Sequence, residues 1–289
     1  TFLIDIGING CSVEDSSDFL DFLQNKSSNW DYIDESLMAL KNIRSSVTAY
    51  LQDNEQGHMQ FKLITESYPD FESESVSDQD WANNWKKYFK PIEIGSRLAI
   101  KPSWEEYDNK DNRKIVTLDP GNSFGTGTHE TTRLCLEQCE RLVNESCRVL
   151  DAGCGSGILG ISALTLGAYD CTFFDIDQSS IETTISNSVI NRVEDRALAI
   201  CTNIFEDKKT YSMLINRGPY DIVFANIVPD VINAMLPFLN NATAEDGCLI
   251  CSGIIEERED EVRRNMIING FSYINSEKLN GWVVLIGRR

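Results

Sequence analysis

From Arg148 onward, short continuous apolar runs alternate with longer segments of helical spacing. The runs fall at 148–151, 171–175, 197–201, 221–225 and 247–252, and lack the every-second-residue polarity of a half-exposed strand. A strand with no polar face is buried on both sides, as in a parallel sheet covered by helices. The segments 158–166, 178–190, 229–239 and 256–268 supply those helices. The end of the chain differs. Runs at 271–274 and 282–286 are separated only by a short polar turn, which predicts an antiparallel pair at the sheet edge. The second half therefore reads as a doubly wound α/β sheet with a late antiparallel strand.

The first half is less regular. Phe2, Leu3 and Ile6 stop at Gly7 and Gly10 like the close of a helix, Val13 leads into an acidic turn, and 19–23 suggests a short helix. Val47, Ala49 and Leu51 alternate within a strand at 45–51, whereas 58–64 fits either strand or helix. These patterns predict a small α+β domain over 1–66 with no catalytic constellation. The first residue is Thr1, so the natural start is expected to be missing or removed. An acidic, serine-rich stretch at 67–80 reads as a linker. Asp80 then N-caps a helix with Trp81, Trp85 and Tyr88 at i, i+4 and i+7, ended by Pro91. Such a stripe is expected to pack against a neighbouring domain. Segments 97–101 and 114–118 read as strands around a turn, and the sheet domain is expected to fill 96–289.

Composition narrows the function. No apolar run is long enough to span a bilayer, and no basic-then-apolar leader opens the chain, so a cytoplasmic protein with no membrane partner is expected. The net charge of −19 argues against holding nucleic acid through its phosphates and favours a basic partner. Nine cysteines fit a reducing compartment. Cys248 and Cys251 have C-x-x-C spacing but fall inside a strand-like run that aims them at opposite faces. They are expected to be buried thiols rather than a metal or redox site.

The chemistry centres on Asp151-Ala152-Gly153-Cys154-Gly155-Ser156-Gly157, a glycine-rich turn between the strand at 148–151 and the helix at 158–166. Glycines let the backbone pass close to a ligand, and the helix N-terminus offers unpaired N–H groups. Two cofactors fit. Gly155 to Gly160 is a literal G-x-G-x-x-G, the dinucleotide fingerprint. With Asp151 ending the strand and Gly153 two residues on, the turn also reads D-x-G-x-G-x-G, the S-adenosylmethionine turn of class I methyltransferases, which fits better. Asp175, at the end of the second strand, suits the ribose hydroxyls of an adenosine in either case. Asp177 reads as the N-cap of the following helix. Asn226 ends the fourth strand beside Gly153, where an uncharged amide can hold a target amine. Upstream, 118–132 is rich in glycine and threonine, and its 124–132 part is expected to close over a cofactor and exclude water. Thr131 and Thr132 begin a helix whose apolar face carries Leu134, Leu136 and Leu142. His129 in that stretch is expected to be a loop hydrogen-bonder rather than a general base.

Taken in order, 80–91, Pro102-Ser103-Trp104-Glu105, 118–132, Asp151 to Gly157, Asp175-Ile176-Asp177 and Ala225-Asn226-Ile227 resemble the PrmA family, whose members methylate ribosomal protein L11 with S-adenosylmethionine. The resemblance is strongest over 80–289. It implies a Rossmann-like, seven-stranded class I methyltransferase sheet with a late antiparallel strand. It also implies a ferredoxin-like N-terminal domain that binds the substrate protein, here expected to lack the first strand and helix of the family domain. Thr132, Gly153, Gly155, Asp175 and Asn226 match its cofactor-contacting positions, and Asn226, facing the reactive end of the cofactor, is the expected catalytic residue. The implied reaction is methylation of lysine and N-terminal amino groups of the basic protein L11, with no metal. Another protein lysine or a small amine remains an alternative acceptor, and a nicotinamide-dependent oxidoreductase is the remaining alternative.

Overall fold

The computed structural model describes residues 11–14, 46–49, 51, 54–68, 71, 73, 89–119 and 129–289. The chain divides into two units, Thr1–Ser77 and Asp78–Arg289. In the first, strands β1 (Cys11–Glu14) and β2 (Ser46–Ala49) pair antiparallel, with Val13 opposite Val47. Val13 thus lies within a strand that includes Glu14, and the acidic stretch that follows lies outside the described residues. Helix α1 (Glu55–Ser67) decides the ambiguous 58–64 segment. Its N-cap is Asn54, whose side chain accepts from the Gly57 N–H at 2.9 Å. The helices expected before Gly7 and at 19–23 lie outside the described residues, as do Trp81, Trp85 and Tyr88.

The second unit opens with a three-stranded sheet, β3 (Ile92–Ile94), β4 (Leu98–Pro102) and β5 (Lys114–Leu118). β3 and β4 are antiparallel, and β4 and β5 run parallel. The strands expected at 97–101 and 114–118 are β4 and β5, and a separate tight turn joins β3 to β4. Gly95 takes φ +48° there. Glu140 fixes the arrangement from below: its Oε1 accepts from the Ser96 and Arg97 N–H groups at 2.8 and 2.9 Å.

The main layer follows in the expected alternation: α2 (Glu130–Leu142), β6 (Arg148–Ala152), α3 (Ile158–Leu166), β7 (Asp170–Asp175), α4 (Gln178–Ile190), β8 (Ala197–Cys201), α5 (Lys208–Arg217), β9 (Tyr220–Asn226), α6 (Pro229–Ala242), β10 (Thr243–Ile255), α7 (Glu259–Ile268), β11 (Ser272–Leu279) and β12 (Trp282–Arg288). The seven strands lie in the order β11-β12-β10-β9-β6-β7-β8. Only β12 runs against its neighbours. Helix α5 is absent from the sequence pattern because it is mostly polar and buries only Leu214; Asp207 starts it by accepting from the Lys209 and Thr210 N–H groups. The 256–268 helix begins with a tight turn at Glu256–Arg258, so α7 proper starts at Glu259.

Burial on both sheet faces explains the continuous apolar runs. Val149, Ile222 and Phe224 pack with Leu136, Ile161 and Phe173 on one face. Leu150, Val223 and Ala225 pack with Leu236 and Leu239 on the other. The chain leaves β6 toward β7 and β8, then returns across it to β9, so the topological switch lies between β6 and β9. That is where an open α/β sheet binds ligands.

Candidate active site

The register across this switch pairs Ala152 with Ala225, so the turn after β6 and the turn after β9 emerge side by side. At the end of β6, Asp151 is buried and its Oδ2 accepts from the Gly160 N–H at 2.9 Å. Burial pushes its carboxyl up to about 7, against that hydrogen bond, with the nearby Asp175 charge adding to the rise. Gly153 and Cys154 then donate to the Phe174 carbonyl at 2.8 and 3.1 Å, drawing the turn toward the end of β7. Asp175 is waiting there. Its two oxygens accept from the Gly155 N–H at 2.9 Å and the Asp177 N–H at 3.0 Å, and it stays half-exposed. Asp177 N-caps α4, accepting from the Ser179 and Ser180 N–H groups.

The glycines are required by space. Gly153 holds φ +72°, and a Cβ on it would lie 2.6 Å from Ile227 Cγ2. Gly160 sits inside α3, where a Cβ would come within 2.2 Å of the Phe173 ring and 2.6 Å of Cys171 Sγ. Its role is packing of helix on sheet. The dinucleotide fingerprint at Gly155 to Gly160 is thereby explained without a dinucleotide.

Asn226 is half-exposed at the end of β9, and its Nδ2 donates to Thr132 Oγ1 at 3.3 Å. Thr132 is fully buried in the first turn of α2. That turn is tied down three ways. His129 N-caps it, Nδ1 accepting from the Thr131 N–H at 3.3 Å, so it is a local hydrogen-bonder as expected. Its ring stands edge-on to Trp282, centroids 4.9 Å apart, and Asn280 donates to Glu130 Oε1 at 3.2 Å. The hairpin between β11 and β12 thus grips the start of α2. Of the predicted residues, Thr132 and Asn226 meet directly, as do Gly155 and Asp175. The 124–128 part of the expected closing loop lies outside the described residues.

Other residues at this end of the sheet carry no glycine-rich signature. Thr202 follows β8, donates its N–H to the Asp175 carbonyl at 2.8 Å, and has a buried Oγ1 with no partner among the described residues. Ile176 and Phe205, after the ends of β7 and β8, are large apolar side chains left 70% and 56% exposed. The position just after each parallel strand was the available signal for all three.

Comparison with known proteins agrees with this geometry. The whole chain, residues 1–289, matches the family described as Ribosomal protein L11 methyltransferase (PrmA). The chain belongs to that family. Relatives named ribosomal protein L11 methyltransferase include those of Alkaliphilus metalliredigens, 34% identical over 99% of this chain and 91% of that protein, and of Caldicellulosiruptor saccharolyticus, 35% identical over 99% and 93%. A crystal structure of ribosomal protein L11 methylase from Lactobacillus delbrueckii subsp. bulgaricus superposes with TM-score 0.62 at 30% identity, covering 69% of this chain and 98% of that one. PrmA enzymes are S-adenosylmethionine-dependent methyltransferases of ribosomal protein L11, and that is the activity and cofactor of this chain. The nicotinamide-dependent oxidoreductase left open by the glycine run is set aside by this membership.

Proposed function

We propose that Gly153, Gly155, Asp175 and Thr132 hold S-adenosylmethionine across the β6–β9 switch, and that Asn226 orients the acceptor amine. The adjacency of Asn226 to the glycine turn, set by the Ala152–Ala225 register, carries this reading. The residues present suit the cofactor. Asp175 offers a carboxylate to a ribose diol, and the unpartnered Thr202 hydroxyl sits on the Asp175 backbone, available to an adenosine. Ile176 and Phe205 give apolar surface for its base. The cofactor supplies a methyl group already activated by a sulfonium. The protein therefore needs to position, exclude water and keep the acceptor neutral. Asn226 is suited to hold an amine without charging it, since its amide has both donors and an acceptor. Its Nδ2 on Thr132 fixes the amide orientation and leaves the oxygen free to accept from the amine. A lysine or N-terminal amine desolvated there loses its proton more readily, so no dedicated base is needed.

The acceptor is taken to be lysine and N-terminal amino groups of L11, a basic protein drawn by the net charge of −19. The first unit is assigned to substrate recognition as a small ferredoxin-like domain, and the second to methyl transfer; the latter begins before the expected bound of 96, because β3 (Ile92–Ile94) pairs with β4. The high negative charge supports an enzyme that binds no nucleic acid directly, and a cytoplasmic location is assigned from its ribosomal protein substrate; among the described residues no helix is long and apolar enough to cross a membrane. The test is intact-mass analysis of L11 after incubation with this protein and S-adenosylmethionine. Mass increments in multiples of one methyl group, mapping to lysine or the N-terminus, are expected. An unmodified L11 would refute the proposal.

A further inference from the structure

The sequence of α4 gives no hint of function: Thr184, Asn187, Ser188 and Asn191 make one face polar, as on a solvated helix. The structure turns that face inward. Thr184, Asn187 and Ser188 are buried, and the exposed positions are instead apolar ones such as Ile185 and Val189. A helix that buries polar side chains and exposes aliphatic ones must satisfy those polar groups internally. It does so on the cofactor turn.

Thr184 Oγ1 donates to the Gly155 carbonyl at 3.0 Å. Asn187 uses both ends of its amide. Nδ2 donates to the Ser156 carbonyl at 2.9 Å, and Oδ1 accepts from the Asp119 N–H at 2.9 Å. One turn later Asn191 brackets β5, accepting from the Thr117 N–H at 2.8 Å and donating to the Thr117 carbonyl at 2.7 Å. Asn191 therefore completes the edge of a strand and does not touch the glycine turn. Gly157 closes the geometry: at φ +79° a Cβ on it would lie 2.9 Å from Thr184. The turn's Gly155 N–H meanwhile points at Asp175, the residue assigned to the ribose.

We propose that Asn187, with Thr184 one turn before it, is a positioning residue for the cofactor. These two side chains hold the carbonyls of Gly155 and Ser156, so the turn's N–H groups and Asp175 stay fixed in the geometry that binds. Asn187 also ties that turn to Asp119 at the end of β5. This rests on the assignment of S-adenosylmethionine to the turn. Neither residue touches the cofactor; each acts by removing the ordering cost of a flexible glycine segment before binding.

The test compares Thr184→Val, Asn187→Ala, Asn191→Ala and Asp175→Ala in the full chain. Cofactor Kd is measured by calorimetry, melting temperature by scanning calorimetry, and kcat at saturating cofactor on L11. Thr184→Val is nearly isosteric and keeps the protein testable if Asn187→Ala does not fold. Asn187→Ala is expected to raise Kd by about tenfold and Thr184→Val by about fivefold, since each loses one hydrogen bond to the turn and Asn187 also its tie to Asp119, with kcat at saturation within twofold of wild type. Asn191→Ala is expected to lower the melting temperature comparably while leaving Kd within twofold. If Kd tracks melting temperature across all three, or Thr184→Val leaves Kd unchanged, the positioning role is refuted. If Asp175→Ala also binds like wild type, the assignment of the cofactor site itself fails. If only Asp175→Ala weakens binding, the site stands and the positioning role alone falls.

Discussion

Asp151 and Asp175 end neighbouring parallel strands and meet opposite fates. Asp151 is sealed beneath the turn, where it accepts from the Gly160 N–H, and burial pushes it up to about 7. Asp175, one strand over, stays half-exposed with two backbone N–H groups on its oxygens. The same residue type thus serves as a buried structural pin in one place and, in the other, as the half-exposed acceptor proposed to meet the cofactor. Solvent access and the number of donors make the difference. Strand register sets both, because Gly153 and Cys154 are drawn onto the Phe174 carbonyl and leave Asp151 below and Asp175 at the rim.

Substitutions that break this contrast should weigh differently on binding and stability. The largest effect is expected from Asp175→Ala, which removes charge-assisted hydrogen bonds worth about 1.5–3 kcal/mol each. Cofactor affinity should fall by about 10²-fold by calorimetry, and the denaturant midpoint should also drop, because the Gly155 and Asp177 N–H groups lose their acceptor. Asp151→Asn should act the other way. In wild type the folded value of about 7 lies above the ordinary carboxylate value, so the folded state holds the extra proton and stability declines as pH rises from about 4 to about 7. The neutral variant keeps an acceptor for Gly160 and should lose that decline. Urea midpoints at pH 5 and pH 8 would show the wild-type drop shrinking in the variant; equal drops would place the charge elsewhere. Gly160→Ala should be the mildest. Its Cβ collides with the buried Phe173 ring, an overpacking cost of about 1–3 kcal/mol read from the urea midpoint, with cofactor affinity of the folded protein unchanged.

The sequence displayed the residues whose role follows from position along one strand. Gly153, Asp175 and Asn226 each sit at or just past the end of an apolar run, and the parallel sheet fixes where such ends converge. Asp177 and the α2 start were legible because capping is local. What depended on distant partners was not. The pairing of Thr132 with Asn226 spans 94 positions. The burial of Thr184 and Asn187 was not legible, because helical periodicity reports which residues share a side, not which side is buried. Helix α5 was invisible for the complementary reason, having too few apolar positions to show a period. The parallel direction of β4 and β5 was not legible, because their connection is long enough to allow either direction.

The central claim is a division of labour: the turn after β6, with Asp175, holds the cofactor, and Asn226 after β9 positions the acceptor. Cofactor Kd and single-turnover methylation of L11, measured on one preparation of Asn226→Ala, test it most directly. Turnover at saturating cofactor is expected to fall by about 10²-fold while Kd changes by less than fivefold, because the amide is assigned to acceptor geometry. Equal losses in turnover and affinity would contradict the account.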